Sequence, residues 1–234
     1  MKEAGENSTV NQSGLESPPS RSPFFDPNKE IVRHRRRLPH WQQGEVFYFV
    51  TWRLADSLPQ QKLRQWREEK DGWLRLHPEP WDEETEEEYH RLFSERIDQW
   101  LDAGEGSCVL RESALANILA GALHYFDGKR YELVAFVIMP NHVHVLFRLR
   151  APNRLEKVVK SWKGFSARKI NERLGRRGSL WQEEYWDRMI RNERHYFKCL
   201  EYIQKNPQHA KLRAGEYVLW EKEEKESGLS SPLG

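Results

Sequence analysis

The chain has 234 residues, 38% of them apolar and 32% charged, with ten tryptophans and only two cysteines. That length buries a core in one large or two small domains, and two cysteines exclude a disulfide framework or an all-cysteine zinc site, leaving Cys108 and Cys199 as thiols. No stretch approaches the roughly eighteen apolar residues of a membrane span, and Met1-Lys2-Glu3-Ala4-Gly5-Glu6 lacks the apolar segment of a signal peptide, so a cytoplasmic protein without a membrane partner is expected. The net charge of +2 conceals a segregation. Residues 58–106 hold fourteen acids against seven bases, residues 150–213 seventeen bases against seven acids, and Arg33, Arg35, Arg36 and Arg37 make a second cationic cluster. A basic half fits a polyanion, nucleic acid first.

Taken in order, residues 1–30 are Ser, Pro, Asn, Gly and Glu with little to bury, which predicts a disordered tail. Residues 45–54, aromatic and β-branched on both faces, predict a central strand. Residues 59–106 form an acidic helical insert, a hairpin of two helices broken at His77-Pro78-Glu79-Pro80, the acidic run from Asp82 to Glu88 opening the second. An amphipathic helix follows over 111–126, with Leu115, Ile118, Leu119, Ala122 and Leu123 on its apolar face. Strands are expected over 131–139 and 142–149, joined at Pro140-Asn141, and a basic helix over 155–174 ending at Gly175. A fourth strand is read over 180–190, and a last helix capped by Asn192 and stopping at Asn206-Pro207. Residues 214–234 are taken as a C-terminal tail. This is an α+β layout of two split β-α-β units: a ferredoxin-like antiparallel sheet with helices on one face, the insert after its first strand and an extra C-terminal helix. A domain over 31–213 is expected.

Chemistry concentrates at Met139-Pro140-Asn141-His142-Val143-His144-Val145-Leu146. On a strand the two histidines share a face, which suits one divalent ion held by two neutral imidazoles. Alone, it also suits two polar residues on the wet face of a sheet, the commoner case for so short a motif. On the last helix Tyr196, Leu200 and Ile203 define the apolar face, and Tyr202 lies on its flank one turn before Asn206. A tyrosine there suits either a structural boundary or a reactive role.

These residues carry a family resemblance. The histidine motif, then Arg188-Met189-Ile190-Arg191-Asn192, then Tyr202-Ile203-Gln204-Lys205-Asn206-Pro207, in that order, resemble the REP-associated tyrosine transposases, relatives of the single-tyrosine insertion-sequence transposases within the His-hydrophobe-His nuclease superfamily. Trp52-Arg53-Leu54-Ala55-Asp56-Ser57-Leu58-Pro59 is similar to the first-strand region of some members. The resemblance spans roughly residues 33–212; the long acidic insert departs from it. It implies that His142 and His144 hold Mg²⁺ or Mn²⁺ with Asn206 as a further ligand, and that Tyr202 is the nucleophile. The implied activity is metal-dependent cleavage and transfer of single-stranded, hairpin-bearing repetitive DNA through a 5′-phosphotyrosine, by a monomer or a homodimer. On the basic helix, Lys157, Lys160, Lys163, Arg168 and Lys169 are expected to follow phosphates and Trp162 to stack a base, against the alternative of a solvated helix over a buried Trp. A non-catalytic ferredoxin-like nucleic-acid-binding module is the competing reading, though the chain lacks the Arg/Lys-Gly-aromatic signature of such platforms. A zinc hydrolase lacks its His-Glu-x-x-His helix here.

Overall fold

Apolar β-branched and aromatic runs supply the strands, and the computed structural model, which describes residues 22–35, 39–78 and 81–223, arranges them in two sheets. A ribbon of β1 (Val32–Arg35) and β2 (Pro39–Gln42) precedes the main sheet. The main sheet contains β3 (Phe47–Arg53), β4 (Tyr131–Ile138), β5 (His142–Leu149), β6 (Trp186–Met189) and β7 (Val218–Glu221) in the order β6-β3-β5-β4-β7, every pair antiparallel. Leaving out β7, the fourth core strand lies beside the first, then the third and the second, which is the ferredoxin-like order expected from the element sequence.

Period-two alternation divides the sheet's side chains between two cores. Val143, Val145 and Phe147 of β5, with Tyr48, Val50 and Trp52 of β3, pack under α4 (Ser113–His124) and α5 (Leu155–Leu174). Phe49, Val137 and Leu146 point the other way, onto Cys199 and Ile203 of α6 (Glu193–His209). The extra C-terminal helix thus covers the second face of the sheet. Gly175, at φ 62, closes α5 in the left-handed conformation that glycine adopts without a Cβ clash.

The insert folds as α1 (Gln60–Leu76), α2 (Glu83–Tyr89), a π-helical turn (His90–Ser94) and α3 (Glu95–Asp102). Asp82 caps α2, its carboxylate accepting from the Thr85 amide at 2.8 Å. Leu58, Leu63, Trp66, Phe93, Ile97 and Leu101 form a separate small core, which Trp186 of β6 joins to the sheet. After α3 the chain returns beside β3. Gly106, at φ +90, lies so close to Asp56 that a Cβ would sit 2.5 Å from its carbonyl oxygen, and the Ser107 amide donates to the Asp56 carboxylate at 3.0 Å.

Four boundaries differ from the sequence reading. Residues 22–30, assigned to the disordered tail, are hydrogen-bonded to the domain: Phe25 N donates to Ile190 O, Phe47 N donates to Pro23 O, and Phe24 packs on Phe47. Residues 1–21 lie outside the described residues, as do Arg36 and Arg37 of the N-terminal cationic cluster. The fourth strand is only Trp186–Met189: before it Trp181 makes a single bridge to Leu54, and Leu180, Trp181 and Tyr185 turn their side chains into the core under α5. The last helix runs through Pro207 to His209; one turn from its end a proline removes a single hydrogen bond, and Ala210 N still donates to Asn206 O. Residues 218–221, assigned to the C-terminal tail, pair with β4 as β7. Among the described residues no helix is long and apolar enough to cross a membrane.

Candidate active site

The register of β3 against β5 sets Thr51 opposite His144 and Arg53 opposite His142, so both imidazoles lie on the α6 face, fully buried. Their rings are nearly perpendicular, with centroids 4.8 Å apart. His142 Nδ1 lies 2.8 Å from Asn141 Oδ1, and the Asn141 amide nitrogen donates to Leu101 O at 3.0 Å and Glu105 O at 3.2 Å. Those two carbonyls fix which way the amide faces. His142 must then carry its proton on Nδ1, which leaves Nε2 with a lone pair. His144 Nδ1 is matched by the Thr51 hydroxyl at 2.8 Å. Both Nε2 atoms are buried without a protein partner.

Burial, only partly offset by the neighbouring Asn206 amide, pushes the His142 pKa down to about 3. Burial, then the charges of His142 and Arg188, hold that of His144 well below the usual value. Both rings are therefore neutral at physiological pH, the form that binds a metal.

Helix α6 brings Tyr202 and Asn206 over this pair. The Tyr202 ring meets His144 edge-on at 5.1 Å and Phe49 at 5.9 Å. Asn206 is fully buried with both side-chain polar atoms unpartnered, and the Tyr202 hydroxyl is buried and unpartnered too. Native interiors rarely leave such groups unmatched, and five at one place make this a candidate ligand site. Burial and the charge of Asp98 raise the Tyr202 pKa well above its ordinary value. Asp98 and Asp102 of α3 line the same groove as Tyr202 and Arg188.

The structure thus brings together His142, His144, Tyr202 and Asn206. It does not bring the α5 side chains to them, since the sheet lies between. Trp162 is in the core, 1% exposed, its indole donating to the Tyr131 hydroxyl at 2.8 Å, so the expectation that it stacks a base is corrected: no base can reach it. Lys163 donates to the carbonyls of Gln182 and Glu183, and Lys169 pairs with Glu172. Lys157, Lys160 and Arg168 are exposed on that far side.

Sequence reasoning missed Asp98, Asp102, Asn141, Thr51 and Arg188 as members of the site. A groove of about 1430 Å³ runs over Tyr202, with Arg188, Arg191, Arg194 and Lys198 along one wall and Glu84, Glu87 and Glu95 along the other. Two carboxylates one helical turn apart beside the buried Ile97 and Leu101 were the available signal for α3.

Comparison with known proteins finds partial matches. A protein of Haemophilus influenzae, described as uncharacterized, is 29% identical over 110 residues, covering 38% of this chain and 56% of that protein. The chain thus spans little more than half the length of that curated relative. A solved structure of a REP-associated tyrosine transposase bound to a REP hairpin is 16% identical, covering 76% of this chain and 73% of that one, with a TM-score of 0.35. Residues 109–206, which begin after the insert and include both histidines, Tyr202 and Asn206, match the family described as "Transposase IS200 like", and the resemblance carried by the histidine and tyrosine motifs is to that family.

Proposed function

We propose that this protein is a transposase that cleaves and rejoins single-stranded, hairpin-bearing DNA, with Tyr202 as nucleophile. The observation that carries the reading is the convergence of unpartnered buried atoms: two imidazole Nε2 atoms, the Asn206 amide and the Tyr202 hydroxyl. Those donors suit a divalent ion such as Mg²⁺ or Mn²⁺. Among the described residues no three His, Cys, Asp or Glu side chains converge as a metal site, so the third protein donor would be the Asn206 oxygen. When bound, the ion supplies charge neutralisation and polarisation of a non-bridging phosphate oxygen.

The chain's own residues do the rest. Asn141 fixes the tautomer of His142, the Thr51 hydroxyl orients His144, and α6 carries the Tyr202 oxygen that attacks the phosphate in line. The Oη–P bond forms as the P–O3′ bond breaks, giving a 5′-phosphotyrosine and a free 3′-hydroxyl. A phenolate leaves more readily than an alkoxide, so a 3′-hydroxyl can reverse the step and the bond energy is kept for rejoining. The cationic wall of Arg188, Arg191, Arg194 and Lys198 gives the strand's phosphates a path that leads to Tyr202. The competing binding-module reading needs an exposed aromatic sheet face, and here both faces are covered.

The test is cleavage of a labelled hairpin oligonucleotide with Mn²⁺ after chelator treatment. His142→Ala and His144→Ala are each expected to lose at least about 10²-fold in rate while retaining fold and hairpin affinity. Wild-type cleavage by either variant contradicts the metal assignment.

A further inference from the structure

We propose that Arg188 of β6 is a catalytic residue whose guanidinium grips the scissile phosphate; the inference deepens the strand-transfer reading above and rests on it. In-line attack on a phosphodiester builds negative charge on both non-bridging oxygens. The histidine site can neutralise one of them, and the other needs a fixed cationic donor on the same side of the sheet. The pairing of β3 with β6 sets Arg188 opposite Phe49 and Trp186 opposite Thr51, and alternation puts these four on the α6 face. Trp186 is taken up by the insert, edge-on to Trp66 at 6.4 Å. Arg188 is the next residue of β6 on this face, half-buried in the wall of the groove that contains Tyr202. Its guanidinium carbon stands 5.4 Å from the Phe49 ring centroid, and that ring lies 5.6 Å from His144 and 5.9 Å from Tyr202.

One aromatic ring thus braces the cation, a histidine of the candidate metal site and the tyrosine. A cation–π contact positions a guanidinium without using any of its five N–H donors. Among the described residues those donors make no hydrogen bond or ion pair, although Glu95 and Asp98 line the same groove. A free planar fork matches the oxygens of a phosphate two at a time. The other cations are placed differently. Arg53, on the same face opposite His142, is 1% exposed, donates to Leu54 O and Ser57 Oγ, and lies outside the groove lining. Arg191, Arg194 and Lys198 occupy exposed positions at the start of α6, and Lys198 is bridged to Glu87. Those three can guide a strand by its outer phosphates. Arg188 is carried by the same sheet as both histidines, and so is fixed relative to them.

In the forward step the Oη–P bond forms and the P–O3′ bond breaks; one proton is given up by Tyr202 and one is taken up by O3′, neither passing through Arg188. The guanidinium stays charged throughout and only holds the phosphate oxygens. The same grip keeps the 5′-phosphotyrosine in place until a 3′-hydroxyl reverses the step.

The test uses the full chain, Mn²⁺ and a labelled hairpin oligonucleotide with randomised single-stranded flanks, from which the phosphate cut by the wild-type protein is first mapped. A hairpin of that sequence is then made with an ordinary phosphate or a neutral methylphosphonate at that position. Cleavage is followed in single turnover at saturating protein, with hairpin affinity and melting temperature measured alongside. On the ordinary hairpin Arg188→Gln should be slower than wild type by about 10²-fold or more, with affinity lowered less than about tenfold and the melting temperature unchanged. Arg188→Lys, which keeps the charge and loses the fork, should recover only part of the rate. The methylphosphonate removes the charge that Arg188 holds, so on it the gap between wild type and Arg188→Gln should close to within about threefold. A role confined to bracing Phe49 leaves the same gap on both hairpins, and that outcome overturns the proposal. If the wild-type protein does not cut the methylphosphonate, the two phosphorothioate diastereomers replace it: the gap should shrink for one and persist for the other, and an equal gap for both overturns the proposal. So does a fall in affinity at an unchanged saturating rate, which would place Arg188 on the outer phosphate path. If Arg188→Gln does not fold, Arg188→Lys takes its place: a wild-type rate overturns the proposal, and a partial loss that closes on the neutral phosphate supports it. No cleavage by the wild-type protein removes the strand-transfer reading and this inference together, whereas cleavage that Arg188→Gln matches removes this inference alone.

Discussion

At the scale of single residues, the site depends on how each histidine is held. Asn141 is the pivot, because its amide is turned by two insert carbonyls and so sets the His142 tautomer. Asn141→Leu keeps the volume and removes that control. It should lower Mn²⁺ affinity about 10- to 100-fold, the range for outer-sphere partners of ligating histidines, measured by calorimetric titration; unchanged affinity would mean that His142 is oriented by its packing alone. The histidines and Tyr202 were legible in the sequence because strand alternation and helical spacing act locally. Asn141 read only as a connection between strands. Its partners Leu101 and Glu105 are 40 and 36 residues away, and no local pattern shows that contact.

At the scale of elements, Leu155–Leu174 and His142–Leu149 were read with their boundaries correct, since a sustained period and a glycine stop are written into the residues themselves. Which side of the sheet each helix covers is not. Five cations on α5 resembled a phosphate track, yet they lie across the sheet from Tyr202, and Trp162 stacks on Trp52 and meets Phe147 edge-on inside the core. Trp162→Phe should therefore cost about 1–3 kcal/mol through lost volume and the lost bond to Tyr131, seen as a lower melting temperature, with hairpin affinity unchanged. A tenfold loss of affinity at constant stability would instead restore α5 as a DNA surface. The short β6 has a similar origin: Leu180, Trp181 and Tyr185 carry strand-like composition because they are buried, and only Trp181 makes a bridge, to Leu54.

At the scale of the whole molecule, the charge segregation seen along the sequence becomes two walls of one groove, the acidic insert facing the basic β6–α6 region, with Lys198 and Glu87 bridging them at 3.5 Å. The order of strands followed from the order of elements, but the insert's place over the site did not, because nothing in an acidic helical hairpin says what it will pack against. Everything converges on the Tyr202 oxygen, placed by α6, faced by the insert and seated over the histidines of β5. The most direct measurement is therefore to trap the covalent product on a hairpin oligonucleotide with Mn²⁺, digest it and locate the DNA-bearing peptide by mass spectrometry, for the wild-type chain and for Tyr202→Phe, which keeps the ring and its packing. The expected result is a single adduct on the peptide containing Tyr202, absent in Tyr202→Phe although that variant folds and binds the hairpin. An adduct persisting in Tyr202→Phe, or mapping to Tyr196 or Tyr185, would contradict the account.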